Sequence, residues 1–277
     1  MTLLGASLAS ASSPTPWQFA GLTHTGRVRA NNEDAIAFDP LGGFAILADG
    51  MGGHNGGEIA SAMTVAALQD SVGGWLARSA ASSGPGDAGL VDDAGPSVHR
   101  LLQASVDQAN KAVYQTGMGN SQLEGMGTTL VLALFGSRRV VIGHIGDSRC
   151  YRLRAGQLEL LTRDHSRLRE QLDAGVITQA EADRSPNRNV VTRAIGVGPR
   201  VLLEMHDHDA RPGDLLLLCS DGLNDMVGEA ELCGLLLRDV GLPDKARLLV
   251  AAANENGGCD NISVVLAQPR DPAPGTF

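Results

Sequence analysis

Short apolar runs closed by glycine or aspartate recur along the chain, and they point to a core built on β-sheet. Rich in Val, Ile and Leu, they lie at 17–22, 44–48, 128–135, 140–145, 150–153, 158–161, 202–206, 215–219 and 262–267. Glycine supplies 35 of the 277 residues, well above the usual share of about 7%, as many tight turns between short elements require. Apolar residues spaced three and four apart predict helices at 58–76, 98–116, 229–239 and 243–255. Strands come in runs interrupted by helix pairs, without strict βαβ alternation. That order predicts an α+β fold class, two packed antiparallel sheets flanked by pairs of helices.

A length of 277 residues allows one large domain or two small ones. Residues 78–97, rich in Ala, Ser, Gly and Pro, read as a surface loop joining the first helix pair, since the patterns on either side depend on each other. Residues 163–189 are polar, carry two short helical patches at 166–174 and 178–183, and are expected to form a mobile excursion. Residues 1–16 lack the positively charged start of a secretory signal and read as a disordered leader. A flexible tail is expected at 269–277.

The charge balance of 22 basic against 31 acidic residues, net −9, disfavours nucleic acid and anionic membrane as partners. The longest apolar candidates, 129–135 and 215–219, fall far short of the roughly 20 residues of a membrane span. Cys150, Cys219, Cys233 and Cys259 are far apart with no C-x-x-C pair, which predicts neither a zinc knuckle nor a disulfide framework and suits a reducing cytoplasm.

Acids sit where apolar runs stop: Asp49 after 44–48, Asp147 after 140–145, Asp221 after 215–219, and Asp260 just ahead of 262–267. Any one of them reads as a turn signal. Should the strand ends converge, though, several carboxylates meet, and like charges a few Å apart do not all stay ionised without a partner. Carboxylates, a backbone carbonyl and water suit a hard cation, Mg²⁺ or Mn²⁺; the lack of clustered Cys or His argues against Zn²⁺ or Cu²⁺. Two such ions would activate a bridging water and clamp a phosphoryl group.

Arg29, with Asn31, Asn32, Glu33 and Asp34, places a cation and an acid pair just before the Asp49 run. The glycines of Gly50-Met51-Gly52-Gly53-His54-Asn55-Gly56-Gly57 let backbone approach a ligand closely, although this is neither a P-loop nor a G-x-G-x-x-G turn. His206 and His208 alternate on one predicted strand; with no third ligand suggested, an exposed edge strand accounts for both. Ser166 and Ser220 lack the context of a nucleophile elbow. Cys219 and Cys259 read as buried thiols at strand ends.

Over about 17–268 the chain resembles the type 2C protein phosphatases, the metal-dependent serine/threonine phosphatases, in their bacterial form. The resemblance rests on six ordered motifs: Arg29 with Asn31-Asn32-Glu33-Asp34, Asp49-Gly50-Met51-Gly52-Gly53-His54, Gly127-Thr128-Thr129, Gly146-Asp147-Ser148-Arg149, Ser220-Asp221-Gly222 and Asp260-Asn261. Asp164-His165-Ser166 and Thr192-Arg193-Ala194-Ile195-Gly196 also match.

This resemblance implies an αββα four-layer sandwich with a two-metal centre, Mn²⁺ or Mg²⁺, at one end of the sheets. Asp49 would bridge both ions, Asp221 and Asp260 would complete the first site, and the Gly50 carbonyl would bind the second. Asp34 would hold metal-bound water, and Asp147 with Asp221 would take a third, weaker ion. Arg29 would grip the substrate phosphate. His54 would either protonate the leaving oxygen or serve as a structural histidine, in which case metal-bound water is the acid. The 163–189 excursion corresponds to the family's flap.

The implied reaction is hydrolysis of phosphoserine and phosphothreonine by a water bridged between the ions, in a cytoplasmic monomer acting on the substrates of a cognate Ser/Thr kinase. A phosphoprotein-binding module without turnover and a metallohydrolase of small phosphate esters are the alternatives.

Overall fold

The computed structural model describes residues 17–53, 55–82, 91, 95–182, 185 and 190–270. Strand β3 (Phe44–Met51) shows why its run is apolar at consecutive positions. Phe44, Ile46 and Ala48 face helices, whereas Ala45 and Leu47 face a second sheet. A strand covered on both faces has no polar side to alternate with.

The first sheet has the order β1 (Trp17–His24), β11 (Ile262–Pro269), β10 (Leu215–Cys219), β7 (Arg149–Arg154) and β8 (Gln157–Leu160). The second runs β2 (Asp34–Asp39), β3, β5 (Leu130–Phe135), β6 (Arg139–Ile145) and β9 (Glu204–Asp209), with the short β4 (Gly127–Thr128) paired to β3. All recorded strand pairings are antiparallel.

Helices α1 (Gly56–Ser82) and α2 (Gly95–Gly119) cover the outer face of the second sheet. Between β8 and β9 lie α3 (Arg167–Asp173) and α4 (Gln179–Ala182). Next come α5 (Asp221–Asn224), α6 (Glu229–Leu236) and α7 (Leu242–Glu255), and α6 and α7 cover the first sheet. Leu216, Leu218 and Val265 meet Leu47, Val131 and Ile142 between the sheets, so the layers stack αββα as expected.

Trp17 donates Nε1–H to the Gly136 carbonyl at 2.7 Å and lies 4.8 Å, ring to ring, from Phe135. Together they close the sandwich at the end of β3 and β5 away from Asp49.

Several expectations need adjusting. Strand β2 was not anticipated: Asp-Ala-Ile-Ala-Phe-Asp is short and acid-bounded, and its alternation of small and large apolar residues shows only once Ala35 and Ala37 pack on helices and Ile36 and Phe38 on the other sheet. Strand β9 begins two residues later than predicted, and the helix expected at 229–239 ends at Leu236, capped by Leu237. Parts of the supposed loop at 78–97 belong to α1 and α2, and its residues 83–90 and 92–94 lie outside the described residues. The supposed tail loses Pro269 to β11, where it pairs with Trp17, and Arg270 donates Nε–H to the Trp17 carbonyl at 3.0 Å. The leader at 1–16 and the tail at 271–277 lie outside the described residues. Cysteines 150 and 219 are buried, but Cys259 is exposed because it follows the Gly257-Gly258 turn ahead of β11. Among the described residues no helix is long and apolar enough to cross a membrane.

Candidate metal centre

Strand direction alone carries the acids to one end. In the β2–β3 ladder Asp34 stands directly opposite Asp49. Strand β6 runs parallel to β3, two antiparallel steps away, so its exit through Gly146 brings Asp147 to the same end. In the facing sheet β10 runs out through Ser220 into Asp221 at the start of α5, beside Asp260 and Asn261 at the entry to β11.

Hydrogen bonds hold these ends in place. The Asp49 carbonyl accepts from the Thr129 N–H and the Thr128 hydroxyl, each at 2.8 Å, and the Asp49 N–H donates to Thr129 Oγ1. Ser220 Oγ donates to Asp34 Oδ2 at 2.8 Å and accepts from the Ser263 N–H, joining the two sheets under the site. Asn261 accepts from the Glu33 N–H and donates to the carbonyls of Thr25 and Asn31, which fixes the loop carrying Arg29. Close approach explains two glycines: a Cβ on Gly50 would stand 2.1 Å from the Gly57 carbonyl oxygen, and one on Gly222 2.0 Å from that of Asn261.

The electrostatics are those of an anionic cluster short of positive charge. Burial, then the charges of Asp34, Asp221, Asp147 and Asp260, push the Asp49 carboxyl well above its ordinary range. Burial and the charges of Asp147, Asp225, Asp260 and Asp34 do the same to Asp221. Burial raises Asp34 to about 6 despite hydrogen bonds from serine, and burial with Asp164 raises Asp147 to about 6. Asp34 Oδ1 is buried with no hydrogen-bond partner. Oxygen donors that repel one another, one of them unpartnered, fit hard divalent cations.

The structure thus brings together Asp34, Asp49, Gly50, Asp147, Asp221 and Asp260, and adds Arg29, whose Nη2 donates to Asp260 Oδ2 at 2.7 Å. His54 lies outside the described residues. Asp225 escaped the sequence reading. Four residues past Asp221, on the turn that follows the one-turn helix α5, it acts on both Asp221 and Asp147, and the i, i+4 spacing was the available signal.

A cleft of about 610 Å³ runs from Asp147, Asp221 and Asp225 to Arg163, Leu168 and Arg169 of the 163–189 segment. That segment is anchored at its root: Arg149 grips both oxygens of Asp164 at 2.9 and 2.6 Å, and the His165 N–H donates to the Gly146 carbonyl. In the motif at 192–196, the Ile195 backbone bridges Thr128, and the Gly196 N–H donates to Asn110.

The histidines require a correction. Register places Glu204 opposite His144 and His206 opposite Ile142, so His206 does have companions. Burial holds the His144 imidazolium below its ordinary range. Burial would raise Glu204, but hydrogen bonds from His165 and His206 outweigh it and bring the carboxyl down to about 2.

Comparison with known proteins follows the same lines. The family described as Protein phosphatase 2C matches residues 21–242. The serine/threonine phosphatase stp of Listeria innocua is 36% identical over 89% of this chain and 93% of its own length. The crystal structure of the Mycobacterium tuberculosis serine/threonine phosphatase PstP/Ppp superposes with a TM-score of 0.79 at 35% identity, covering 92% of this chain and 99% of that one. A PstP catalytic domain in complex with two manganese ions superposes with a TM-score of 0.76 at 35% identity, over the same shares of the two chains. Likeness of this extent, in sequence and in fold, makes the chain a member of the protein phosphatase 2C family.

Proposed function

We propose that the chain is a metal-dependent serine/threonine protein phosphatase, and the observation that carries this is the set of mutually repelling buried carboxylates opening beside Arg29. Asp49, the Gly50 carbonyl, Asp221 and Asp260 would hold two Mn²⁺ or Mg²⁺ ions, with Asp147 and Asp221 available to a third. Two divalent cations bound there supply water activation at neutral pH and charge neutralisation of a phosphoryl group.

The chain's own groups do the rest. Arg29 has one nitrogen on Asp260 and, with five N–H donors on a planar fork, retains the means to bind phosphoryl oxygens in pairs. Asp34 accepts from Ser220 at Oδ2, which leaves Oδ1 to hold a water beside the ions. Residues between Arg163 and Ala182 wall the cleft, as part of a flap that meets the substrate polypeptide.

The same reading makes the substrates phosphoproteins, those of a cognate Ser/Thr kinase, and the enzyme a cytoplasmic monomer. The net charge of −9 supports partners other than nucleic acid or membrane.

Release of phosphate from a phosphothreonine peptide with Mn²⁺, and its loss on chelation, is the test. Peptide binding without turnover would favour a binding module, and a preference for free phosphorylated metabolites would favour a small-ester hydrolase. Within the same assay Arg29→Lys is expected to lower kcat/KM by roughly 10- to 100-fold, with KM raised, because an ammonium cannot make the paired contact. Unchanged kinetics would remove Arg29 from phosphate binding.

A further inference from the structure

We infer that His144, Glu204 and His206 form a binding site for one transition-metal ion, Zn²⁺ by its donor set, separate from the carboxylate centre. Directly opposed residues of an antiparallel pair share a face, as do alternate residues along a strand. The register His144↔Glu204 and Ile142↔His206 therefore sets all three side chains on one face at the β9 edge of its sheet. One ligand atom from each lies within 4.8 Å of the others.

Tautomers follow from the partners. His144 Nε2 is 2.9 Å from the Arg163 carbonyl, which only accepts, so Nε2 carries the proton and Nδ1 keeps its lone pair. The His144 side chain is fully buried, and Nδ1 has no hydrogen-bond partner. An imidazole that donates one N–H to a carbonyl is held in the tautomer of a metal ligand, its other nitrogen free to accept an ion.

Glu204 is prepared in the same way. The Gly146 N–H donates to His165 Nδ1 at 3.1 Å, so His165 bears its proton on Nε2 and gives it to Glu204 Oε2 at 3.0 Å. Oε1 is left toward His206 Nε2, also at 3.0 Å. The edge of a tetrahedron with bonds of about 2.0–2.1 Å is ~3.3 Å. Rotation of Glu204 and His206, both partly exposed, closes the remaining gap.

Two imidazoles and one carboxylate select Zn²⁺ over Mg²⁺, which prefers oxygen throughout. An ion here ties β9 to β6 three residues before Asp147 and, through the Arg163 carbonyl, to the root of the 163–189 segment.

Co²⁺ is the probe. Chelator-stripped protein, with Mg²⁺ in excess to fill the carboxylate centre, is titrated with Co²⁺ and followed by visible absorption. One equivalent is expected to give the intense bands of four-coordinate Co²⁺, bleached by stoichiometric Zn²⁺. The bands should persist in Asp49→Asn and disappear in His206→Ala and in Glu204→Gln, both at partly exposed positions, with folding checked by circular dichroism. His165→Asn should weaken binding by roughly 10-fold as the carboxylate loses its orienting donor. Zn²⁺ should raise the melting temperature of the parent and leave that of His206→Ala unchanged. Only the weak absorption of six-coordinate Co²⁺, or intense bands that survive both His206→Ala and Glu204→Gln, would overturn the assignment.

Discussion

An Asp49→Asn variant is expected to lose at least ~10³-fold in kcat/KM with Mn²⁺, yet to melt above the parent when both are stripped of metal. The two effects share one cause. Asp49 is buried opposite Asp34, within reach of the charges of Asp221, Asp147 and Asp260. In the metal-free protein its negative charge is opposed by burial and by every one of those neighbours, so a neutral amide of the same shape relieves the fold. In the proposed metal centre that charge would hold the cations, and an amide in its place would weaken their binding and the water activation they supply. Melting curves in chelator and phosphate release in Mn²⁺ measure both. An unchanged turnover, or a metal-free variant that melts below the parent, would contradict the assigned role.

Stability of the metal-free protein is expected to fall as pH rises from about 4 to 7, opposite to a protein held together by ion-paired carboxylates. Asp34 and Asp147 are raised to about 6, against about 3.9 in an unfolded chain. Between those values the folded state binds more protons than the unfolded one, so ∂ΔG/∂pH is negative. The stabilisation is complete below the unfolded pKa and is lost as pH passes the folded one. A two-unit rise corresponds to about 2–3 kcal/mol per carboxylate. With saturating Mn²⁺ the trend should reverse, since cations in the proposed site favour the ionised form of the carboxyls that hold them or lie beside them. Urea midpoints at intervals from pH 4.5 to 7.5, with chelator and with Mn²⁺, test the sign. A flat metal-free profile would mean that these acids ionise freely.

Much of the acid cluster was legible because its signal is local. Asp49, Asp147 and Asp221 each follow an apolar run, and a run of that length with Gly beside it marks a strand end wherever the strand lies. Strand β2 was missed because half its pattern is alanine, which says little about burial until both of its faces have partners. Asp225 was missed because it lies just past a helix of a single turn, so its one signal, the four-residue spacing from Asp221, has no longer pattern around it. Cys259 was misjudged because its exposure depends on the path of the Gly257-Gly258 turn, which its own neighbours do not specify.

What the sequence determined by itself was most of the strands, their interruption by helix pairs and the acids at their ends, because apolar runs, helical spacing and turn residues act over a few positions. What the tertiary structure alone decided was which ends meet and which side chains share a face. Asp34 faces Asp49 through the register of β2 on β3, and His144 meets Glu204 and His206 through that of β6 on β9, across sixty residues of chain. A register is chosen by the summed packing of whole sheets, and slipping it by one residue would turn every one of these groups to the other face.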